Sequence, residues 1–330
     1  MTTQPIHRPG RPRPALSRRA LLAGTAAGAV GLSLAACGKG KKSGSQGDSK
    51  TVTVVTHDSF HVSEDLQKAF TSETGYTLKV ATSGDAGALV NKLVLTKDAP
   101  LGDAVFGIDN TYATRALDQG VIDTSATVTL PKGAESYVVA DTPALAPIDV
   151  GDVCLNIDTG YFTGKGLTPP ATFEDLTKPE YKGLLVAINP TNSSPGMAWL
   201  LATIGHFGAG SFADYWKQLM ANGARIAEDW SAAYETDFSG SGKGTYPIVV
   251  SYASSPSFTV SKDKSSSSTS ALLDTAFRQV EYAGVLKGAA NPEGGKAFVT
   301  WMLSKAVQED IPGQMYMYPV LPDAALPEAL

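Results

Sequence analysis

Short β-branched runs alternate with amphipathic stretches along the chain from residue 51 onward, and this alternation constrains the fold more than any other feature. Residues 51–56, TVTVVT, read as a strand, followed by the polar turn His57-Asp58-Ser59. Ser63 then suits a helix N-cap, and Glu64 and Asp65 favour the first turn, where the helix dipole attracts negative charge. Leu66, Ala69 and Phe70 fall on one face of that helix. The unit repeats: residues 76–80 form a second strand, Asp85 caps a helix carrying Leu89, Leu93 and Val94, and 104–107 form a buried strand ending at Ile108-Asp109-Asn110. Strands are expected over 183–188, 224–227 and 247–251, and helices over 197–207, 212–220 and 294–303. Such repetition predicts an α/β chain with mostly parallel sheets flanked by helices.

In open α/β sheets ligands sit beyond the carboxyl ends of the strands. The residues at those places form a coherent set: His57-Asp58-Ser59, Ser83-Gly84-Asp85, Asp109-Asn110, 189–196, Glu228-Asp229-Trp230 and Tyr252-Ala253-Ser254. They are polar, acidic and aromatic, with almost no Lys or Arg. A cleft lined this way suits a cationic or aromatic ligand better than a naked anion.

The N-terminal stretch has a different logic. Arg18 and Arg19 precede an Ala- and Gly-rich apolar run over residues 20–36, which is shorter and weaker than a membrane-spanning helix and reads as an export signal. Ser17-Arg18-Arg19 with Leu21-Leu22 also resembles a twin-arginine signal. Leu34-Ala35-Ala36-Cys37 resembles the lipobox of bacterial lipoproteins, which makes residues 1–36 a signal peptide and Cys37 the lipidated first residue of the mature chain. Residues 37–50 are rich in Gly, Ser and Lys and read as a flexible tether. The chain has two cysteines, so after lipidation of Cys37 the remaining Cys154 has no partner for an intramolecular disulfide. The formal charge of -5 argues against a nucleic-acid partner. No second apolar stretch is long enough to span a bilayer.

Catalytic readings find little support. Gly240-Ser241-Gly242-Lys243-Gly244-Thr245 lacks the glycine and the hydroxyl residue of a phosphate loop and reads as a surface turn. His7, His57, His61 and His206 show no metal-ligand spacing, and no serine sits in a nucleophile elbow. Cys154 reads as a buried thiol, and 262–270, KDKSSSSTS, as a polar loop. A binding protein without cofactor or metal, not an enzyme, is expected.

Seven motifs make the reading specific: THDSF at 56–60, SGDAGALVNKL at 83–93, VFGIDN at 105–110, NPTNSSPGMAWLL at 189–201, EDWSAAY at 228–234, VVSYASSPSF at 249–258 and MYPV at 317–320. In this order they resemble the thiamine-binding proteins of bacterial ABC importers. The resemblance implies a type II periplasmic-binding-protein fold, with two α/β lobes and a ligand cleft between them. Lobe 1 would comprise 51–147 and 253–330, and lobe 2 148–252. It further implies capture of thiamine or thiamine phosphate, delivery to ABC permease subunits, membrane contact through the lipid anchor alone on the outer face of the cell membrane, and a monomer.

By the same resemblance Trp230 and Tyr252 stand at aromatic contact positions, where their rings would attract the thiazolium cation. The Asp at the position of Asp85 bonds the ligand's amino group, although capping is its common use. Asp58 and Asp109 are open to ligand contact or to turn formation. Ser193, Ser194 and Gly196 surround Pro195 at a helix start whose N–H groups suit a phosphate. His57 departs from the family's usual Tyr, and Phe258 lacks the hydroxyl expected there. A ferric-ion or other small-solute receptor of the same fold is the alternative, but iron wants adjacent tyrosines as oxygen donors, and although Tyr316 and Tyr318 are near each other they sit in the MYPV context and no Tyr-Tyr pair follows a strand; an exported lipoprotein hydrolase is a further one.

Overall fold

The computed structural model describes residues 50–330 apart from 242, 264, 265 and 329. The export signal, the twin-arginine pair, Cys37 and all of the tether except Lys50 lie outside the described residues, as do Gly242 of the glycine-rich turn and two residues of the polar loop over 262–270.

The chain opens with the expected βα units. Strand β1 (Thr51–Thr56) leads to α1 (Glu64–Thr74), β2 (Thr77–Thr82), α2 (Ala86–Leu95), β3 (Ala104–Asp109) and α3 (Ala113–Asp118). β1 pairs in parallel with β2 on one side and β3 on the other. β3 is buried along its whole length, so its run AVFGID carries no alternation, as a strand covered on both faces requires. β2 is an edge strand with much of its surface exposed. Ser63 stands at the N-cap of α1, but its backbone N–H donates to Asp310 Oδ2 (2.8 Å) and its hydroxyl makes no capping bond.

A second parallel set lies at the other end of the sheet. After β4 (Ala146–Asp158) and α4 (Thr159–Lys165) come β5 (Leu185–Ile188), α5 (Ser194–Phe207), α6 (Phe212–Ala221), β6 (Arg225–Ala227) and β7 (Ile248–Tyr252). β5 pairs in parallel with β6 and β7. α5 starts three residues earlier than the apolar spacing suggested, because Pro195 fits a first helical turn.

Two long strands join the sets: β4, 13 residues, and β8 (Thr269–Val285), 17 residues. They run antiparallel from Ala146 opposite Ala283 to Asp158 opposite Thr269, with register shifts between Pro147 and Asp149 and between Val153 and Leu155. β8 also pairs with β3, and β4 with β7, both antiparallel. The sheet order is therefore β2-β1-β3-β8-β4-β7-β5-β6. Each flank is parallel and the centre is antiparallel. The chain ends with α7 (Pro292–Met302), α8 (Lys305–Met315) and the short β9 (Tyr318–Pro319), which pairs with β4. The polar loop is shorter than expected, since Thr269 and Ser270 already belong to β8.

Gly107 shows how the scaffold prepares the site. It sits at a bulge between β3 and β8 with φ +97, and a Cβ there would lie 2.0 Å from the His57 ring. Only glycine tolerates both the left-handed backbone and that approach.

Candidate functional site

The carboxyl ends of β1, β2, β6 and β7, the start of α5 and the turn between α8 and β9 converge on one cavity of about 290 Å³. The loops are tied together by backbone bonds: Ser83 N–H donates to Thr56 O (2.9 Å) and Asp58 N–H to Gly84 O (3.0 Å). Its buried lining is His57, Ser194, Pro195, Tyr252, Glu281, Met315 and Met317. Asp58, Ser59, Asp85, Trp230, Ser231, Glu235, Gln314 and Tyr316 form its more exposed rim.

The rim is aromatic. The Trp230 ring stacks on Tyr234 (5.0 Å between centroids, 11° between planes), stands edge-on to Tyr316 (5.8 Å) and lies 6.5 Å from Tyr252. Its indole N–H donates to Ser251 Oγ (3.0 Å), which fixes the ring plane. Trp230 is followed by a π-helical turn, Ala232–Asp237, which carries Tyr234 and Glu235. Such turns recur at functional sites. Tyr316 adopts φ +64, left-handed for a residue other than glycine, and its carbonyl accepts the Ser254 hydroxyl. That strain of roughly 1 kcal/mol is tolerated where surrounding packing over-determines the backbone.

Asp85 joins the two sides of the cavity. One carboxylate oxygen accepts from Ala86 N–H at 2.7 Å, and the other lies 3.4 Å from Trp230 N–H. Burial raises its pKa from the ordinary carboxylate value, against the Ser193 side chain, the Ala86 hydrogen bond and the charge of His57. Beside it, Gly87 and Ala88 N–H both donate to Asn192 O (2.9 and 3.2 Å), and Tyr112 Oη donates to Pro190 O (2.6 Å). A Cβ on Gly87 would sit 2.6 Å from Thr191 O, so the first turn of α2 can meet the 190–192 loop only through glycine.

Beneath the rim lies a row of carboxyl groups on neighbouring strands. Asp109 on β3 and Asp149 on β4 both face Glu281 on β8. Glu281 lies 3.5 Å from His57 Nε2 and accepts from Gln279 Nε2 at 3.2 Å. Burial would lower the His57 pKa, but the negative charges of Glu281, Asp85 and Asp58 leave it raised. Burial, reinforced by Glu281, pushes Asp149 well above the usual carboxylate range. Asp109 is pushed up to about 7 by burial, although one of its oxygens accepts from Thr111 N–H, Thr111 Oγ1 and Tyr112 N–H. Burial also raises the Tyr252 phenol.

Of the ten ligand-contact residues expected from sequence, the cavity gathers His57, Asp58, Asp85, Ser194, Trp230 and Tyr252. The other four are elsewhere. Asp109 is buried in the strand row, and Ser193 is buried at the α5 cap. Gly196 packs against the carbonyls of Ile188 and Asn189. Phe258 lies tilted against Tyr316 (3.6 Å between centroids, 32° between planes) and lines an adjoining cavity of about 230 Å³ with Tyr234, Glu235, Ser241 and Thr259. Sequence reasoning missed Glu281, Glu235 and the two methionines, and weighed Tyr316 only for iron. Glu235 lies one residue past EDWSAAY and Tyr316 one before MYPV, so both were within reach; Glu281 sits inside a long strand not recognised as one. Cys154 is a buried free thiol whose pKa burial pushes up to about 12, which leaves it unreactive. Among the described residues no cluster of His, Cys, Asp and Glu has the makings of a metal site.

This arrangement, a two-ended α/β sheet with long central crossover strands and a polar-aromatic cavity at the strand ends, matches known proteins. Residues 103–330 match the family of bacterial extracellular solute-binding proteins, and the chain belongs to that family. It is an exported solute-binding protein, a carrier rather than an enzyme. A thiamine-binding periplasmic protein of Salmonella typhimurium is 27% identical over 286 residues, 84% of this chain and 82% of its own length. A solved periplasmic thiamin binding protein superimposes with a TM-score of 0.72 at 25% identity, covering 84% of this chain and 86% of that one. Iron-bound HitA from Pseudomonas aeruginosa shares the fold, with a TM-score of 0.63 at 20% identity over 85% of this chain and 89% of that one.

Proposed function

We propose that the protein captures thiamine, free or phosphorylated, in this cavity and delivers it to an ABC importer, held at the outer face of the membrane by lipid on Cys37. The observation that carries the reading is the convergence of Trp230, Tyr252 and Tyr316 on one cavity with Asp58, Asp85, Glu235 and Glu281. Thiamine joins a permanently charged thiazolium to an aminopyrimidine. Aromatic faces attract such a cation by about 0.5–2 kcal/mol per contact, and carboxylates accept from its amino group. Names carried by similar proteins support the same ligand. Of the two tyrosines considered for iron, Tyr316 lines the cavity and Tyr318 does not.

The proposal divides the body into a first lobe of 51–147 and 253–330 and a second of 148–252, with a monomer as the working unit. β4 and β8 would carry the hinge, and ligand touching both lobes would favour the closed form by its greater affinity for it. Acyl chains on Cys37 would contribute about 0.8 kcal/mol per buried methylene toward anchoring. Calorimetric titration of the purified protein with thiamine and, separately, with ferric ion tests the assignment. Heat from thiamine is expected; heat from ferric ion alone would overturn it.

A further inference from the structure

The cavity has one basic group of its own, and it stands among the carboxylates that a cationic solute would seek. Among the described residues no Lys or Arg lines the cavity, and His57 lies 3.5 Å from Glu281 at its floor. The charged groups that face it are all acidic. Asp58 follows it in the loop after β1, Asp85 comes from the start of α2, Glu281 from β8 and Glu235 from the π-helical turn. Tyr252 on β7 and Tyr316 add phenols, while α5 and the turn between α8 and β9 bring no charged side chain. Behind Glu281, Asp109 on β3 and Asp149 on β4 complete the row.

The imidazole is held in place. His57 is 6% exposed, and its ring is wedged between Gly107, on which a Cβ would lie 2.0 Å away, and the Phe106 ring at 5.3 Å. Its Nε2 makes no hydrogen bond, and Glu281 is the carboxylate within ion-pair distance of it. Burial disfavours the imidazolium, whereas the charges of Glu281, Asp85 and Asp58 favour it and prevail. Before capture, His57 thus supplies the positive charge those carboxylates require. A solute cation brought beside the same groups takes over their attraction and repels the imidazolium, which favours loss of its proton to solvent. One positive charge replaces another.

We propose that capture is proton-coupled: protonated His57 and the cationic solute compete for Glu281 and Asp85, so the solute is held as His57 gives up its proton, and capture weakens where the medium turns acidic. This rests on the thiamine reading above and adds a regulation to it. Protons held by Asp109 and Asp149 would respond to the cation with the same sign, so the test has to separate the imidazole from the carboxyl row.

Calorimetric titration of the intact protein with thiamine at pH 6, 7 and 8, each in two buffers of unlike ionisation enthalpy, makes that separation. Release of a single proton changes affinity by up to about tenfold per pH unit, so affinity is expected to fall at least about threefold from pH 8 to pH 6. The difference in heat between buffers should report proton release at pH 7. In His57→Gln, which keeps a polar side chain of similar reach, both the pH dependence and the proton release should disappear. A parent whose affinity is flat from pH 6 to pH 8, or that releases no proton, overturns the inference without recourse to any variant. A slope retained in His57→Gln overturns it too, by assigning the proton to the carboxyl row. These outcomes leave thiamine capture standing, whereas failure of thiamine to bind at every pH would remove the thiamine reading itself.

Discussion

The strand scaffold under the cavity and the aromatic rim above it are built by opposite means. The scaffold is made of buried strands: Phe106 of β3 is fully buried against the rings of His57 and Phe60, and Glu281, Asp149 and Asp109 are locked into neighbouring ladders. The rim is made of connections: a π-helical turn, the 190–192 loop, the first turn of α2, and a left-handed residue at the end of α8. Burial gives the scaffold its stability and displaces its pKa values. Exposure gives the rim its reach toward ligand. Substitutions should accordingly harm folding in one region and binding in the other.

The largest effect is expected from Phe106→Ala, which would open a void beneath His57 and cost about 3–5 kcal/mol of stability, measured by urea unfolding. A cost below 1 kcal/mol would mean that the scaffold is no more rigid than the rim. Next is Gly87→Ala, where the added methyl would press on Thr191 O and Tyr112 Oη. Overpacking of this kind costs about 1–3 kcal/mol. Thiamine affinity should fall and the urea midpoint should drop by that cost; unchanged affinity would remove the contact between α2 and the 190–192 loop from the binding site.

Trp230→Ala should weaken thiamine roughly two- to thirtyfold, the value of one cation–π contact, while costing less stability than Phe106→Ala. A variant binding as tightly as the parent would show that the ring serves packing alone. The smallest effect concerns protons. The folded form of Asp109 holds its proton up to about pH 7, whereas the usual value is 3.8. Its contribution to stability is therefore complete below the lower value and lost as pH rises toward the higher one. Raised His57 acts in the same direction above 6.5, because its charged form is favoured in the fold. Asp109→Asn keeps the oxygen that accepts all three hydrogen bonds, so unfolding measured across pH 4 to 7 should give a flatter decline than in the parent; an unchanged slope would place the titration elsewhere.

Sequence and structure agree best where a residue's neighbours in the chain are its neighbours in space. Asp85 begins α2 and His57 follows β1, positions readable from the alternation itself. Trp230 and Tyr252 follow short strands in the same way. The misses share a cause. The 17 residues of β8 carry polar groups on both faces, since each half meets different partners, and so show no simple period. Glu281 was hidden in that run. α8 contains Pro312 and Gly313, which mask its helical pattern.

Local periodicity and the residues at strand ends determined the α/β class, the flanking parallel sets, and a cleft chemistry of rings and carboxylates. These depend on chain neighbours, whose spacing the sequence records directly. The tertiary structure alone decided that Glu281 should lie between Asp109 and Asp149, that Tyr316 should come back to Trp230, and that Gly87 should meet the 190–192 loop. Such meetings join residues far apart in the chain, and they are set by strand register and packing, which no local pattern encodes.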